Sequence, residues 1–158
     1  MTDWPACGRE LIAELQRAPG RLGLVVGDSE GTILAALAGL AHSAVFRAGI
    51  GLLEQDPPVT ADEVVERLTS AGAMIADLDL LFWGPWLSLD PLALLRGVSR
   101  RHPGTVFAWP GSVTHGMATY SRPGRRDWLE TARSDAVVLR PYPTMFPDEP
   151  PYRIERYA

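Results

Sequence analysis

LGLVVGDSEGTILAALAGLA, residues 22–41, decides how this chain is read. Leu22, Leu24, Val25 and Val26 form a short, continuously apolar run, the pattern of a strand buried on both faces. Gly27 and Gly31 bracket a polar turn, and the ten residues from Thr32 to Ala41 carry no charge and are rich in helix formers. The stretch predicts a strand, a glycine turn and a helix. A helix that starts directly after a strand aims its unpaired N–H groups and its positive dipole end at whatever lies over the turn. Gly27, Asp28, Ser29, Glu30, Gly31 and Thr32 are therefore the first candidate site, a phosphate-binding loop for ATP or another nucleotide with magnesium.

Outward from this unit the alternation continues. Residues 9–18 place Leu11, Ile12 and Leu15 on one face and stop at Pro19 and Gly20, which predicts an amphipathic N-terminal helix. Residues 44–50 read as a second strand. Thr60 and Glu63 have capping-box spacing before a helix with Val64, Val65 and Leu68 inward. Residues 72–77 read as a strand ending in a carboxylate, and Asp90 with Pro91 opens a helix that runs to Arg101. The next strand is 104–109, stopped by Pro110 and Gly111, with a small hairpin over 113–121 around His115 and Gly116. Residues 125–133 read as helical and 136–139 as the last apolar strand. Five prolines from Pro141 onward exclude regular central structure from the tail, 141–158. The expectation is an α/β fold: one three-layer domain over 1–158 with its core at 20–140 and a mostly parallel sheet of about five strands. Ligands in such sheets bind at the carboxyl ends of the strands.

Composition narrows the function classes. A chain of 158 residues with 46% hydrophobic content supplies one substantial core. No window approaches the roughly eighteen apolar residues of a membrane span, and the first thirty residues carry acids where a signal peptide would be basic, so a cytoplasmic protein without membrane contact is expected. Cys7 is the only cysteine, and its neighbourhood lacks metal-ligand spacing, so no metal site is implied. All fifteen basic residues are arginine, and the chain contains no asparagine. Residues 1–95 hold 13 acids and 5 arginines, residues 96–140 hold 3 and 8, and residues 141–158 hold 3 and 2, so the segments carry −8, +5 and −1. Arg96, Arg100 and Arg101 follow helical spacing, while Arg122, Arg125 and Arg126 surround Pro123 and Gly124. Arginine forks suit phosphate, which makes these six candidate contacts to DNA or to a neighbouring subunit's nucleotide. Solvated helix faces explain the same pattern.

The glycine loop admits three readings. A phosphate loop of the P-loop kind needs Gly-x-x-x-x-Gly-Lys-Ser/Thr, in which lysine reaches the outer phosphates and the hydroxyl holds magnesium. Here the loop is two residues shorter and lacks the lysine, although Gly27, Gly31 and Thr32 keep their places. Gly27, Ser29 and Gly31 also match the Gly-x-Ser-x-Gly nucleophile elbow, which would make Ser29 the nucleophile of a serine hydrolase. Only 26 residues precede this glycine, too few for the earlier strands and oxyanion loop of that fold. Neither His102 nor His115 has an aspartate three residues before it. The third reading is a turn without a ligand, favoured by Asp28 and Glu30, whose carboxylates repel phosphate. No residue is assigned a catalytic role.

Residues 73–79, Ala-Met-Ile-Ala-Asp-Leu-Asp, have the form of a Walker B strand, with Asp77 or Asp79 as the acid that would hold magnesium. From Asp79 onward the chain resembles a known family. Asp79 to Phe82, then Leu89, Asp90, Pro91 and Leu92, Leu94 and Leu95, Gly97, Ser99 and Arg100, Val106, Ala108 to Gly111, Thr119 and Tyr120, and Pro123 and Gly124 resemble BrxF, the small P-loop-containing proteins of type 3 BREX phage-defence systems. The resemblance covers roughly 20–140, and Ala108-Trp-Pro-Gly111 and Leu89-Asp-Pro-Leu92 are its most specific pieces. It implies a P-loop NTPase-like fold, antiviral defence as context, and a large ATPase, a methyltransferase or a phosphatase-like protein as partners. Family members carry a fuller Walker A motif where this chain has Gly27 to Thr32, so the motif here is degenerate. The resemblance assigns no reaction; the short, lysine-free loop predicts a non-hydrolytic or weakly nucleotide-binding accessory protein that works by protein contacts. The alternative is a small NTPase completed by a partner's cation. Phe82, Trp83 and Trp86, around Gly84 and Pro85, either cover the end of the core or anchor such a partner.

Overall fold

The computed structural model describes residues 4–28, 30–48, 60–70, 74–79, 90–115, 117–120, 129–132, 136–142 and 152–157. Its centre is β1 (Gly23–Val26), whose four residues are all buried. β1 pairs in parallel with β4 (Val106–Trp109) on one side and with β8 (Val137–Pro141) on the other. Beyond β4 lie β3 (Met74–Ala76) and β2 (Val45–Arg47), also parallel, and β9 (Tyr152–Arg156) closes the opposite edge antiparallel to β8. The order is β2-β3-β4-β1-β8-β9. Six strands, five of them parallel, make the expected α/β sheet with one strand more than the sequence predicts.

Two helix layers cover it. α1 (Trp4–Gln16) and α2 (Thr32–Leu40) pack on one face, where Leu11, Leu15, Ile33 and Leu37 meet Val25, Val106 and Val137. α3 (Ala61–Ser70) and α4 (Pro91–Arg101) cover the other, where Val64, Leu68, Leu95 and Val98 meet Leu24, Ile75 and Phe107. Alternation along each strand sends successive side chains to opposite layers, which is why the strands read as continuously apolar. Local signals set the helix starts. The Thr60 hydroxyl accepts the Glu63 amide at 3.2 Å, and Asp90 Oδ1 accepts the amides of Leu92 at 3.0 Å and Ala93 at 3.2 Å, with Pro91 in the first turn.

Between β4 and β8 a second, antiparallel sheet of three strands is inserted: β5 (Ser112–Thr114), β6 (Met117–Tyr120) and β7 (Leu129–Ala132). The β5–β6 hairpin matches expectation. β7 corrects it, because residues 129–132 pair with β6 where the sequence reads as helix. Tertiary pairing overrides the modest helix preference of Leu129, Glu130 and Ala132.

Two further boundaries differ. α1 begins at Trp4, five residues before the expected helix. The tail is not devoid of regular structure, since β9 pairs with β8 over five residues and buries Tyr152. The prolines end at Pro151, so 152–156 are free to form an edge strand. Burial, with the nearby Cys7 thiol adding to it, pushes the Tyr152 phenol up to about 12.

Candidate functional site

The chain leaves β1 through α2 on one face, travels to the far edge of the sheet at β2, and returns inward through β3 and β4 by way of α3 and α4 on the other face. Loops that leave neighbouring strands toward opposite faces open a crevice at the carboxyl ends. A cleft of about 580 Å³ lies there. Its walls include Gly27, Asp28 and Glu30 after β1, Arg47 at the end of β2, Asp77 and Asp79 after β3, and Trp109 at the end of β4. The structure thus brings together the loop and the Walker B-like acids that the sequence singles out.

The loop holds an unexpected occupant. Gly27 (φ 76°) and Gly31 (φ 72°) both take left-handed conformations, and the Asp28 carbonyl accepts the Gly31 amide at 3.0 Å. This tight turn folds the Asp28 side chain back over the start of α2. Asp28 Oδ1 accepts the Thr32 amide at 3.0 Å, and Oδ2 accepts those of Ile33 at 2.9 Å and Leu34 at 3.2 Å. These are the orphan donors that would otherwise face a phosphate. The sequence expectation placed Asp28 as a repeller of phosphate above the loop; the geometry makes it the anion bound by the loop. Ser29 lies outside the described residues. Thr32 and Glu30 are exposed.

Across the cleft, Asp77 follows β3 with φ 57°, a left-handed conformation that aspartate tolerates better than most residues. Its carboxylate pairs with Arg47, Nη1 to Oδ2 3.3 Å. Asp79 accepts a hydrogen bond from the Tyr120 hydroxyl at 3.4 Å. Trp109 is almost fully buried, and its ring N–H donates to the Thr119 carbonyl at 3.1 Å, so it packs on the β5–β6 hairpin. Gly111 stands where that hairpin crosses, and a Cβ there would overlap the Thr119 carbonyl.

Four carboxylates and one guanidinium give this cleft an acidic lining. No group of three or more His, Cys, Asp or Glu among the described residues is placed to hold a metal, and no histidine lines the cleft. With the three amides of α2 already satisfied and the lining acidic, the described residues of the cleft do not fit a nucleotide triphosphate with its magnesium.

The remaining candidates lie elsewhere. Helices that precede parallel strands end at the amino edge of the sheet, so Arg100 and Arg101, in the last turn of α4, stand at the end opposite the cleft. Arg96 is half-buried in the middle of that helix. Phe82, Trp83, Trp86, Arg122, Arg125 and Arg126 lie outside the described residues. Sequence reasoning missed Arg47 because it ran the second strand to residue 50, which put the arginine mid-strand. A strand stopped at Arg47 would have set its charge at the ligand edge. A scan against protein-family models, a search of curated proteins and a search of solved structures each return no match. No helix among the described residues is long and apolar enough to cross a membrane.

Proposed function

We propose that this chain is an accessory protein of a BREX-type phage-defence system, built on a P-loop-type scaffold whose phosphate site is closed by its own Asp28. It acts through contacts with other defence proteins, among them a large ATPase, a methyltransferase or a phosphatase-like component, rather than by turning over nucleotide. One observation carries the reading: the Asp28 carboxylate takes three amides at the start of α2. A bound carboxylate satisfies the helix dipole and the donors together, so an incoming phosphate gains nothing there unless Asp28 leaves. The parallel sheet, the glycine turn after its central strand and the acid after β3 support the scaffold. The residues that resemble BrxF support the context. The alternative of an NTPase completed by a partner's cation requires Asp28 to vacate α2 before any cation matters.

The test compares wild type with Asp28→Ala. Wild type should hydrolyse ATP and GTP no faster than buffer and show no thermal shift with millimolar phosphate. Asp28→Ala should lose about 1 kcal/mol of stability with its cap and regain part of it as phosphate is added. Turnover by wild type, abolished in Asp77→Ala, would sink the proposal. Failure of the wild-type chain to retain any co-encoded defence protein in a pull-down would remove its second half.

A further inference from the structure

The amino edge of the sheet, opposite the cleft, carries a second feature. α1 and α4 end side by side there: a Cβ on Gly104 would come within 2.6 Å of Gln16 Cγ, a Cβ on Gly20 within 3.3 Å of Arg100 Cγ, and the Ser99 hydroxyl donates to the Arg21 carbonyl at 3.0 Å. β9 ends on the same edge, because Arg156 lies opposite Val137, the first residue of β8. Five arginines lie toward this edge: Arg17 and Arg21 between α1 and β1, Arg100 and Arg101 at the end of α4, and Arg156 at the end of β9. Against them stand Glu10 and Glu14 on α1, and Glu155 on β9, which pairs with Arg140 at 3.0 Å. Glu14 binds both Arg21, at 2.8 Å, and Arg156, at 2.9 Å. Arg17, Arg100 and Arg101 are exposed and meet no carboxylate among the described residues.

We infer that this amino-edge face binds the phosphate backbone of duplex DNA through Arg17, Arg100 and Arg101, flanked by Arg21 and Arg156. The inference does not rest on the reading of the cleft. Cations near helix C-termini also offset the helix dipole, a role open to Arg100 and Arg101 in the last turn of α4. It does not account for Arg21 and Arg156, which sit on no helix yet come to the same edge in a chain whose net charge is −4. The charge of the face points to its partner. Protein interfaces are centred on aromatic or aliphatic anchors. The one exposed large hydrophobic residue among those described is Tyr142, beyond the carboxyl end of β8 and away from this edge. A surface of guanidinium forks, with no exposed large apolar residue among its described residues, is matched by a row of phosphates, which take bidentate hydrogen bonds and need no hydrophobic contact. Such binding reads no sequence.

The experiment is fluorescence anisotropy of the full chain with a labelled duplex of about 30 base pairs between roughly 50 and 200 mM salt. Three arginines that meet no carboxylate among the described residues predict a slope of log K against log salt of about −3. The triple variant Arg17→Glu, Arg100→Glu, Arg101→Glu should bind at least ~10-fold more weakly at low salt, and the corresponding triple lysine variant should keep most of the affinity. Arg47→Glu, in the cleft, should change affinity less than about 2-fold, since it lies at the other end of the sheet. If the triple glutamate variant fails to fold by circular dichroism, the single variants Arg17→Glu and Arg101→Glu replace it, each with a loss of about 3-fold. Absence of binding by wild type at about 0.1 mM protein and low salt overturns the inference, as does wild-type affinity in the folded charge-reversed variants. Salt-sensitive self-association in sedimentation without DNA, lost in those variants, would assign the face to a second copy and overturn it too.

Discussion

The two ends of one parallel sheet share left-handed turns but differ in their side-chain contacts and, among the described residues, in their charge. At the carboxyl edge, shape comes from backbone stereochemistry: Gly27, Gly31 and Asp77 all have positive φ, and the hairpin carbonyl of Thr119 packs against Gly111. At the amino edge Gly20 and Gly104 are left-handed as well, and a side-chain clamp is added to them, Glu14 holding Arg21 and Arg156 across α1 and β9. The charges sort by strand direction. Each helix that follows a strand starts at the carboxyl edge and ends at the amino edge. α3 has Asp62 and Glu63 in its first turn and Arg67 in its last, while α4 has Asp90 as its cap and Arg100 and Arg101 at its end. Acids at helix starts and cations at helix ends are each locally favourable. Repeated in parallel, the local rule polarises the whole molecule into an acidic cleft and a basic opposite face.

The strongest way to break this contrast is to attack the backbone-held edge. Gly111→Ala should cost about 3 kcal/mol or more, because the new methyl meets backbone on a paired strand and not the movable end of a side chain. Chemical denaturation measures it. A loss under about 1 kcal/mol would mean that the β5–β6 hairpin shifts freely and does not fix the cleft wall.

Much of the carboxyl edge was legible in the sequence, because its signals are local. The glycine turn, the Asp90 cap with Pro91, the capping residue Thr60 and the apolar strands each announce themselves within a few positions. Nonlocal pairing was not legible. The helix-compatible residues of β7 become a strand only because β6 offers an open edge, and β9 exists because β8 does. The loop itself was half legible. A glycine turn between strand and helix was readable from Gly27 and Gly31, whereas the return of Asp28 onto α2 accompanies left-handed conformations at both glycines. The charge pattern reads differently in space: counted along the chain it separates residues 1–95 from 96–140, but on the two described helices between β2 and β4 it follows the sheet's two edges, acids at their starts and arginines at their ends.

A second test sharpens the amino edge. The hydrogen bond from Arg156, opposed by partial burial and reinforced by the charges of Arg156 and Arg21, holds the Glu14 carboxyl below its ordinary value of 4.5. A carboxyl with a lowered folded pKa contributes stability above its unfolded value and loses it as pH falls through the folded one. Wild type should therefore lose this contribution as the medium is acidified below 4.5. Glu14→Gln should be less stable by about 1 kcal/mol at neutral pH, with the difference closing in acid. Urea midpoints for both proteins across that range check it, and a difference that persists unchanged in acid would show that Glu14 acts by packing alone.

The smallest effect should come from the cleft's own ion pair. Arg47 and Asp77 approach to 3.3 Å, yet their side chains are 64% and 40% exposed. At such exposure water screens most of the attraction, and ordering a long arginine side chain offsets much of the remainder. Arg47→Ala should therefore change stability by no more than about 0.5 kcal/mol, although it removes the one cation identified on the cleft wall. The comparison with Gly111→Ala decides whether the carboxyl edge is held as described. If Arg47→Ala costs more than about 1 kcal/mol, the left-handed turn at Asp77 depends on its guanidinium partner, and that edge too is held by charge. If the cost is small while Gly111→Ala is severe, the backbone alone sets the cleft, and Arg47 is free to be exchanged without disturbing the walls around Asp28.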